Sequence, residues 1–249
     1  LKRIFVAFMN DSVILIPVRL KATRFPNKPF AKIAGIPMLH FVYKAATKSF
    51  SNVYLAICDN EVEDYCTNND LQYIYTNPSH ISGTDRIGEA VENLEKKLDF
   101  NYIINVQGDM PFIRKEFIEI LRKNLSSYQM STLACPFKDK LEAENPSKVK
   151  VEMNDKLNSV AKDFSRELKD HHSINENIFH HIGIYGYQKK FLKDFISQKP
   201  SKREIVEKLE QLRVLDNTQI SVTLIEQEIL GVDTREDLDK VNQLILKNE

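Results

Sequence analysis

The chain has no surplus charge of either sign: Lys plus Arg and Asp plus Glu both total 35 among 249 residues. Without a net basic field nothing gathers nucleic acid at long range, so any phosphate site has to be local. Cysteine is also scarce. Cys58, Cys66 and Cys135 form neither a CxxC pair nor an even set, which argues against a disulfide framework and predicts reduced thiols in a cytoplasmic protein. No apolar run approaches the roughly 20 residues that a membrane span requires, and no low-complexity tract or internal repeat is present. The opening LKRIFVAFMND is basic and then apolar, but Ile4 to Met9 is too short for the core of a signal peptide and lacks a small-residue cleavage site. No export signal is expected. Residues 1–11 are read as an N-terminal extension of unknown role, with Met9 a candidate start, and 12–249 as a single domain.

What is present points to a folded α/β chain. Hydrophobic residues make up 42% and charged residues 28%, close to globular averages, which leaves enough apolar material for a substantial core. Short apolar runs at Val13–Val18, Val53–Cys58, Tyr102–Val106 and Ser131–Phe137 are apolar nearly throughout, as parallel strands covered on both faces are. Helix-period segments alternate with them. Ile87, Ala90, Val91 and Leu94 recur at helical spacing behind Thr84 and Asp85, and Leu238, Val241, Leu244 and Ile245 follow a capping Thr234. A doubly wound sheet is the expectation. The polar stretch Asp163–Glu176, with His171 and His172, is expected to be a loop or lobe boundary.

Three segments carry chemistry. Arg19, Lys21, Arg24 and Lys28 gather in a proline-punctuated loop after the leading strand, where an open parallel sheet binds ligands and where cations can neutralise a triphosphate. A solvated basic loop is the competing reading. In NVQGDMP, Asn105–Pro111, a buried strand ends on Gln107, Gly108 and Asp109, a carboxylate placed either to reach Mg²⁺ or to cap a helix starting near Pro111. In GVDTREDL, Gly231–Leu238, Asp233 is either a second metal ligand or a helix cap.

In order, IPVRLKATRFPNKP, HISGTDR at His80–Arg86, NVQGDMP, FSR at Phe164–Arg166, HHIGIYGY at His180–Tyr187, LEQLRVL at Leu209–Leu215 and GVDTREDL resemble the 3-deoxy-manno-octulosonate (Kdo) cytidylyltransferases over nearly the whole chain after Ser12. The resemblance implies a nucleotide-diphospho-sugar transferase fold, a mixed, mostly parallel sheet flanked by helices, acting as a homodimer. It implies transfer of CMP from CTP to an acidic eight-carbon sugar for lipopolysaccharide or capsule synthesis. By the same carry-over Arg19, Arg24 and Lys28 hold the triphosphate, with Lys28 counted among the catalytic residues. Ser82, Gly83, Thr84, Arg86 and Gln107 surround the nucleotide, Asp109 and Asp233 bind Mg²⁺, and Arg166, His181, Tyr185, Glu210 and Gln211 meet the sugar. If HHIGIYGY is a strand, His181, Gly183 and Tyr185 share one face and Ile182 and Ile184 the other. His171, His172, His180 and His181 lack the third-ligand spacing of a zinc site.

Some positions depart from the family pattern: Ala22 stands for Ser, Asp85 for Glu, Met110 for Glu, and Glu167, Leu168 and Lys169 follow FSR in place of a small residue and Ile-Pro. These leave two alternatives to Kdo transfer. One is the same chemistry on a modified Kdo or another nonulosonic acid, and the other is a catalytically silent subunit of the same fold.

Overall fold

The computed structural model describes residues 11–21, 25–80, 82–154, 159–168 and 176–247. Arg24, Ala22, Lys169, His171, His172 and residues 1–10 lie outside them. The contacts divide the chain into two compact units, one formed up to Phe117 and again from Ile229, the other from Ile118 to Glu228.

The N-terminal unit starts with β1 (Ser12–Pro17), whose residues 12–16 are all buried. A tight hairpin, β2 (Lys32–Ile33) and β3 (Ile36–Pro37), turns at Ala34 and Gly35, both at positive φ of 47° and 79°, the sign that two-residue hairpin turns of this hand require. Then come α1 (Met38–Thr47), β4 (Val53–Ile57), α2 (Asn60–Asn68), β5 (Tyr73–Tyr75), α3 (Gly83–Leu94) and β6 (Tyr102–Asn105). β1 pairs in parallel with both β4 and β6, and β4 pairs in parallel with β5. Sequential βα units with buried apolar strands give this order, because each helix has to cover the sheet face its strand exposes. α1 packs on β4, and α3 packs on β1, β4 and β5.

At α4 (Lys115–Asn124) the chain passes into the second unit, which contains β7 (Met130–Cys135), α5 (Lys140–Glu144), β8 (Lys150–Met153), β9 (Ala161–Ser165), β10 (Ile178–Gln188), α6 (Lys189–Ser197), α7 (Lys202–Glu207) and β11 (Ile220–Leu224). β10 runs antiparallel to β7 and β8, β8 antiparallel to β9, and β11 parallel to β7. The sheets are therefore mixed and mostly parallel in the N-terminal unit. Asp163–Ser165 belong to β9, which corrects the expectation of a loop from Asp163: Phe164 is fully buried, and that burial outweighs the polarity of its neighbours. The chain then returns to the N-terminal unit and ends on α8 (Arg235–Leu246).

The expected strands and both expected helices form within two residues of their predicted limits. Among the described residues no helix is long and apolar enough to cross a membrane. Cys58, Cys66 and Cys135 are buried and free.

Candidate active site

A cavity of about 320 Å³ opens at the carboxyl ends of β1 and β6 in the N-terminal unit. Gln107, Gly108 and Asp109 follow β6 as a turn. Gly108 is required there: a Cβ would lie 3.0 Å from the carbonyl oxygen of Pro17. α4 starts only at Lys115, so Asp109 caps no helix. Its carboxylate accepts from Lys28 Nζ at 2.6 Å.

Lys28 is positioned by a turn that its neighbours dictate. Asn27 adopts the left-handed conformation, φ 56°, which asparagine tolerates, and Pro29 pre-sets the 3-10 turn Lys28–Phe30. Its ammonium makes three contacts, to Asp109 Oδ2 at 2.6 Å, to the Val232 carbonyl at 3.0 Å and to Asp233 Oδ1 at 3.3 Å. Three donors meet three oxygens. The two aspartate loops are tied directly as well, because the Val232 N–H donates to the Asp109 carbonyl at 2.9 Å. The cap of α8 is Thr234, whose hydroxyl accepts from the Asp237 N–H while Asp237 closes a capping box, so the Asp233 carboxylate is not needed as a cap.

Cations surround the same cavity. Arg19 is exposed on its wall, and Arg86, 2% exposed, donates to Thr76 Oγ1 at 2.7 Å. Ser82 and Gly83 line it at the N-terminus of α3, where Ser82 Oγ accepts from the Asp85 N–H at 3.0 Å. Thr84 is buried and Lys21 is exposed, and neither lines the cavity. Gln107 lines it and donates to Asn105 Oδ1 at 3.3 Å. The apolar wall of Val18, Phe25 and Met38 was not singled out in the sequence. Only Phe25 left a signal, an aromatic inside an otherwise basic loop.

The five residues expected at the sugar all lie in the second unit. β10 advances three residues, Ile182 to Tyr185, while β7 advances one, Leu133 to Thr132. Both steps are odd, so this bulge leaves His181 and Tyr185 on one face, with ring centroids 5.5 Å apart. The His181 ring is set by Thr132, a polar residue inside a buried strand. Thr132 Oγ1 lies 2.7 Å from the Ile184 carbonyl, to which it gives its one proton, and so it accepts from His181 Nε2–H at 2.9 Å. His181 Nδ1 is left as an acceptor. Burial, with His180 beside it, pushes His181 down to about 3, so the ring is neutral.

Burial, with Tyr187 and Glu210 nearby, holds the Tyr185 phenol well above its ordinary range, and it donates to Gln211 Oε1 at 3.1 Å. Gln211 is 2% exposed, and among the described residues its Nε2 has no hydrogen-bond partner. A buried donor without a partner is costly, and a polyol or carboxylate oxygen satisfies it. Arg166, expected at the sugar, makes its contacts within the second unit. Its Nε donates to the Glu207 carbonyl at 2.6 Å and its Nη1 to the Pro146 carbonyl at 3.1 Å, while its own carbonyl accepts from Lys150 Nζ at 2.7 Å. It ties three loops of the second unit together.

The donor set at Lys28 fits a hard divalent cation. Two carboxylates and a carbonyl converge within hydrogen-bond reach of one ammonium, and hard oxygens in that number suit Mg²⁺, which completes its shell with water and phosphate oxygens.

A cytidylyltransferase family model matches residues 13–225. A 3-deoxy-manno-octulosonate cytidylyltransferase from Bartonella bacilliformis is 35% identical over 243 residues, covering 94% of this chain and 98% of its own. The protein of that name from Histophilus somni is 38% identical over 257 residues, covering 95% and 99%. Among solved structures, a CMP:2-keto-3-deoxy-manno-octonic acid synthetase complexed with CTP has a TM-score of 0.85 at 32% identity, over 96% of this chain and 100% of that one.

Proposed function

Because the chain belongs to the 3-deoxy-manno-octulosonate cytidylyltransferase family, we propose that it transfers CMP from CTP to the anomeric hydroxyl of Kdo. The hydroxyl oxygen bonds to the α-phosphorus, the bond from that phosphorus to the β-phosphate oxygen breaks, pyrophosphate leaves and the hydroxyl proton passes to solvent. One observation carries the reading beyond kinship: paired carboxylates on Lys28 face a cavity whose other charged walls are Arg19 and Arg86.

Arg19 and Arg86, with the N-terminal N–H groups of α3, bind the triphosphate and orient its α-phosphorus. Arg24, outside the described residues, is assigned to the same task. Asp109 and Asp233 would hold Mg²⁺, which would supply charge neutralisation on the phosphates and acidify the attacking hydroxyl. Among the described residues the acids lining the cavity are those two aspartates, so no separate side-chain base is assigned. Sugar recognition falls to His181 Nδ1, the Tyr185–Gln211 pair and Glu210, with Arg166 fixing the loops beside them. The working form is a homodimer.

The test is pyrophosphate release from CTP with Mg²⁺ and Kdo, with CMP-Kdo identified by mass. Release only with a different eight- or nine-carbon acid would replace Kdo as substrate. No release with any acidic sugar would identify a silent subunit.

A further inference from the structure

The Lys28 ammonium sits where the two aspartates and the Val232 carbonyl meet, and all three of its donors are matched there, at 2.6, 3.0 and 3.3 Å. Its side chain is 17% exposed, against 27% for Asp109 and 51% for Asp233. A lysine in this state has no N–H left for a phosphate, and a divalent cation bound by the same oxygens has no room while the ammonium is among them. The two roles expected of the site, phosphate contact by Lys28 and cation binding by the aspartates, are therefore mutually exclusive while Lys28 makes these contacts.

We propose that Lys28 is a tethered place-holder cation: it occupies the divalent-cation position, keeps the two carboxylates together, and is displaced onto phosphate when the divalent cation enters. This rests on the cation-binding reading of Asp109 and Asp233. The chemistry favours exchange over simple loss. Two carboxylates brought together across 81 and 205 positions of chain from Lys28 repel each other unless a cation lies between them. The lysine supplies that charge through folding alone. Divalent charge on hard oxygens outcompetes it, and the freed ammonium then meets the anion that arrives with the metal. Metal and nucleotide each favour the lysine-released state, so each strengthens binding of the other.

The experiment measures Mg²⁺ binding alone, by calorimetry without nucleotide or sugar, in the full chain. A site blocked by its own lysine binds with an affinity lowered by the fraction of time it is open. Lys28→Gln and Lys28→Met should each bind Mg²⁺ on the order of tenfold more tightly than the unsubstituted chain. Arg19→Gln removes a cation from the same cavity wall that is not a partner of Lys28, and should change the affinity by less than about threefold, as a screened through-space effect does. Lysine-directed acylation of the unsubstituted protein, read by mass spectrometry, adds a measurement independent of any variant. Lys28 should be labelled slowly without metal and several-fold faster once Mg²⁺ is added.

Unchanged or weaker Mg²⁺ binding in both Lys28 variants overturns the proposal, as does equal tightening in Arg19→Gln or Lys28 labelling indifferent to Mg²⁺. Asp109→Asn separates this from failure of the cation reading itself. Mg²⁺ binding that survives undiminished in Asp109→Asn removes the site and the proposal together, whereas binding lost there but unchanged in the Lys28 variants removes the place-holder alone.

Discussion

Asp109 and Asp233 share one ammonium, so replacing either by asparagine removes an anionic oxygen without removing volume. Asp109→Asn and Asp233→Asn should each lower kcat on the order of 100-fold or more, since charge stabilisation by a bound metal amounts to several kcal/mol of barrier. Thermal stability should move by less than about 1 kcal/mol, as expected for ion pairs still open to solvent. Near-normal turnover at limiting Mg²⁺ would remove the aspartates from catalysis. Gln211 gives the opposite pattern to a structural glutamine. Its Nε2 has no partner among the described residues, so Gln211→Met should cost no more than about 1.5 kcal/mol, chiefly the acceptor of the Tyr185 hydroxyl, while raising the KM for the sugar and leaving that for CTP unchanged. A rise in the KM for CTP instead would place Gln211 away from the sugar.

α8 and the β2–β3 hairpin act as the mount for the Lys28 loop. Asn242 accepts from the Ala34 N–H at 2.9 Å and donates to the Lys32 carbonyl at 3.2 Å, and the Arg235 guanidinium lies 5.6 Å from the Phe25 ring centroid. Thr234→Ala removes the cap that begins α8 directly after Asp233. The expected cost is about 1 kcal/mol of stability, with a fall in turnover larger than that cost explains, because the Asp233 turn loses its anchor. Equal turnover at temperatures well below the melting point would show that the cap serves stability alone. In the second unit Arg166 is a structural tie as well as a sugar candidate. Arg166→Ala should lower the melting temperature together with raising the sugar KM, and a change in KM with no loss of stability would mean that its carbonyl contacts are dispensable.

At the scale of the molecule the net charge is zero, and two buried histidines couple stability to pH. Burial lowers His181 to about 3, and burial with the nearby Lys148 ammonium lowers His180 to about 4, both from an ordinary 6.5. Glu228 and Glu142 oppose the shift of His180, and Lys150 adds to it. Both rings are neutral in the folded state and take up protons in the unfolded state below pH 6.5. Stability is therefore fully present above about pH 6.5 and falls as pH drops toward 4, with a slope of up to ~1.4 kcal/mol per pH unit for each ring. Melting curves from pH 7 to pH 4 should show this decline, and His180→Asn or His181→Asn should flatten it whatever their effect at pH 7. An unaltered slope in both variants would assign the acid response to other groups.

Local pattern was enough to place β1, β4, β6, β7, β10 and the helices α3 and α8, because burial on both faces leaves a continuous apolar run and burial on one stripe leaves a helical period. It was enough to mark Asp109 and Asp233 as unusual, since each ends an apolar segment at a turn, but not to choose between cap and ligand. Tertiary structure removed the cap reading by starting α4 at Lys115 and giving the α8 cap to Thr234. Other features had no local trace: the bridge from Lys28 to both aspartates, the bulge that keeps His181 beside Tyr185, the carbonyls that occupy Arg166 and the unpartnered Gln211 amide. The physical reason is the same for each. Periodicity records how a segment meets solvent over a few residues, whereas these contacts join segments far apart in the chain, and only the packed sheet brings their polar atoms within bonding distance.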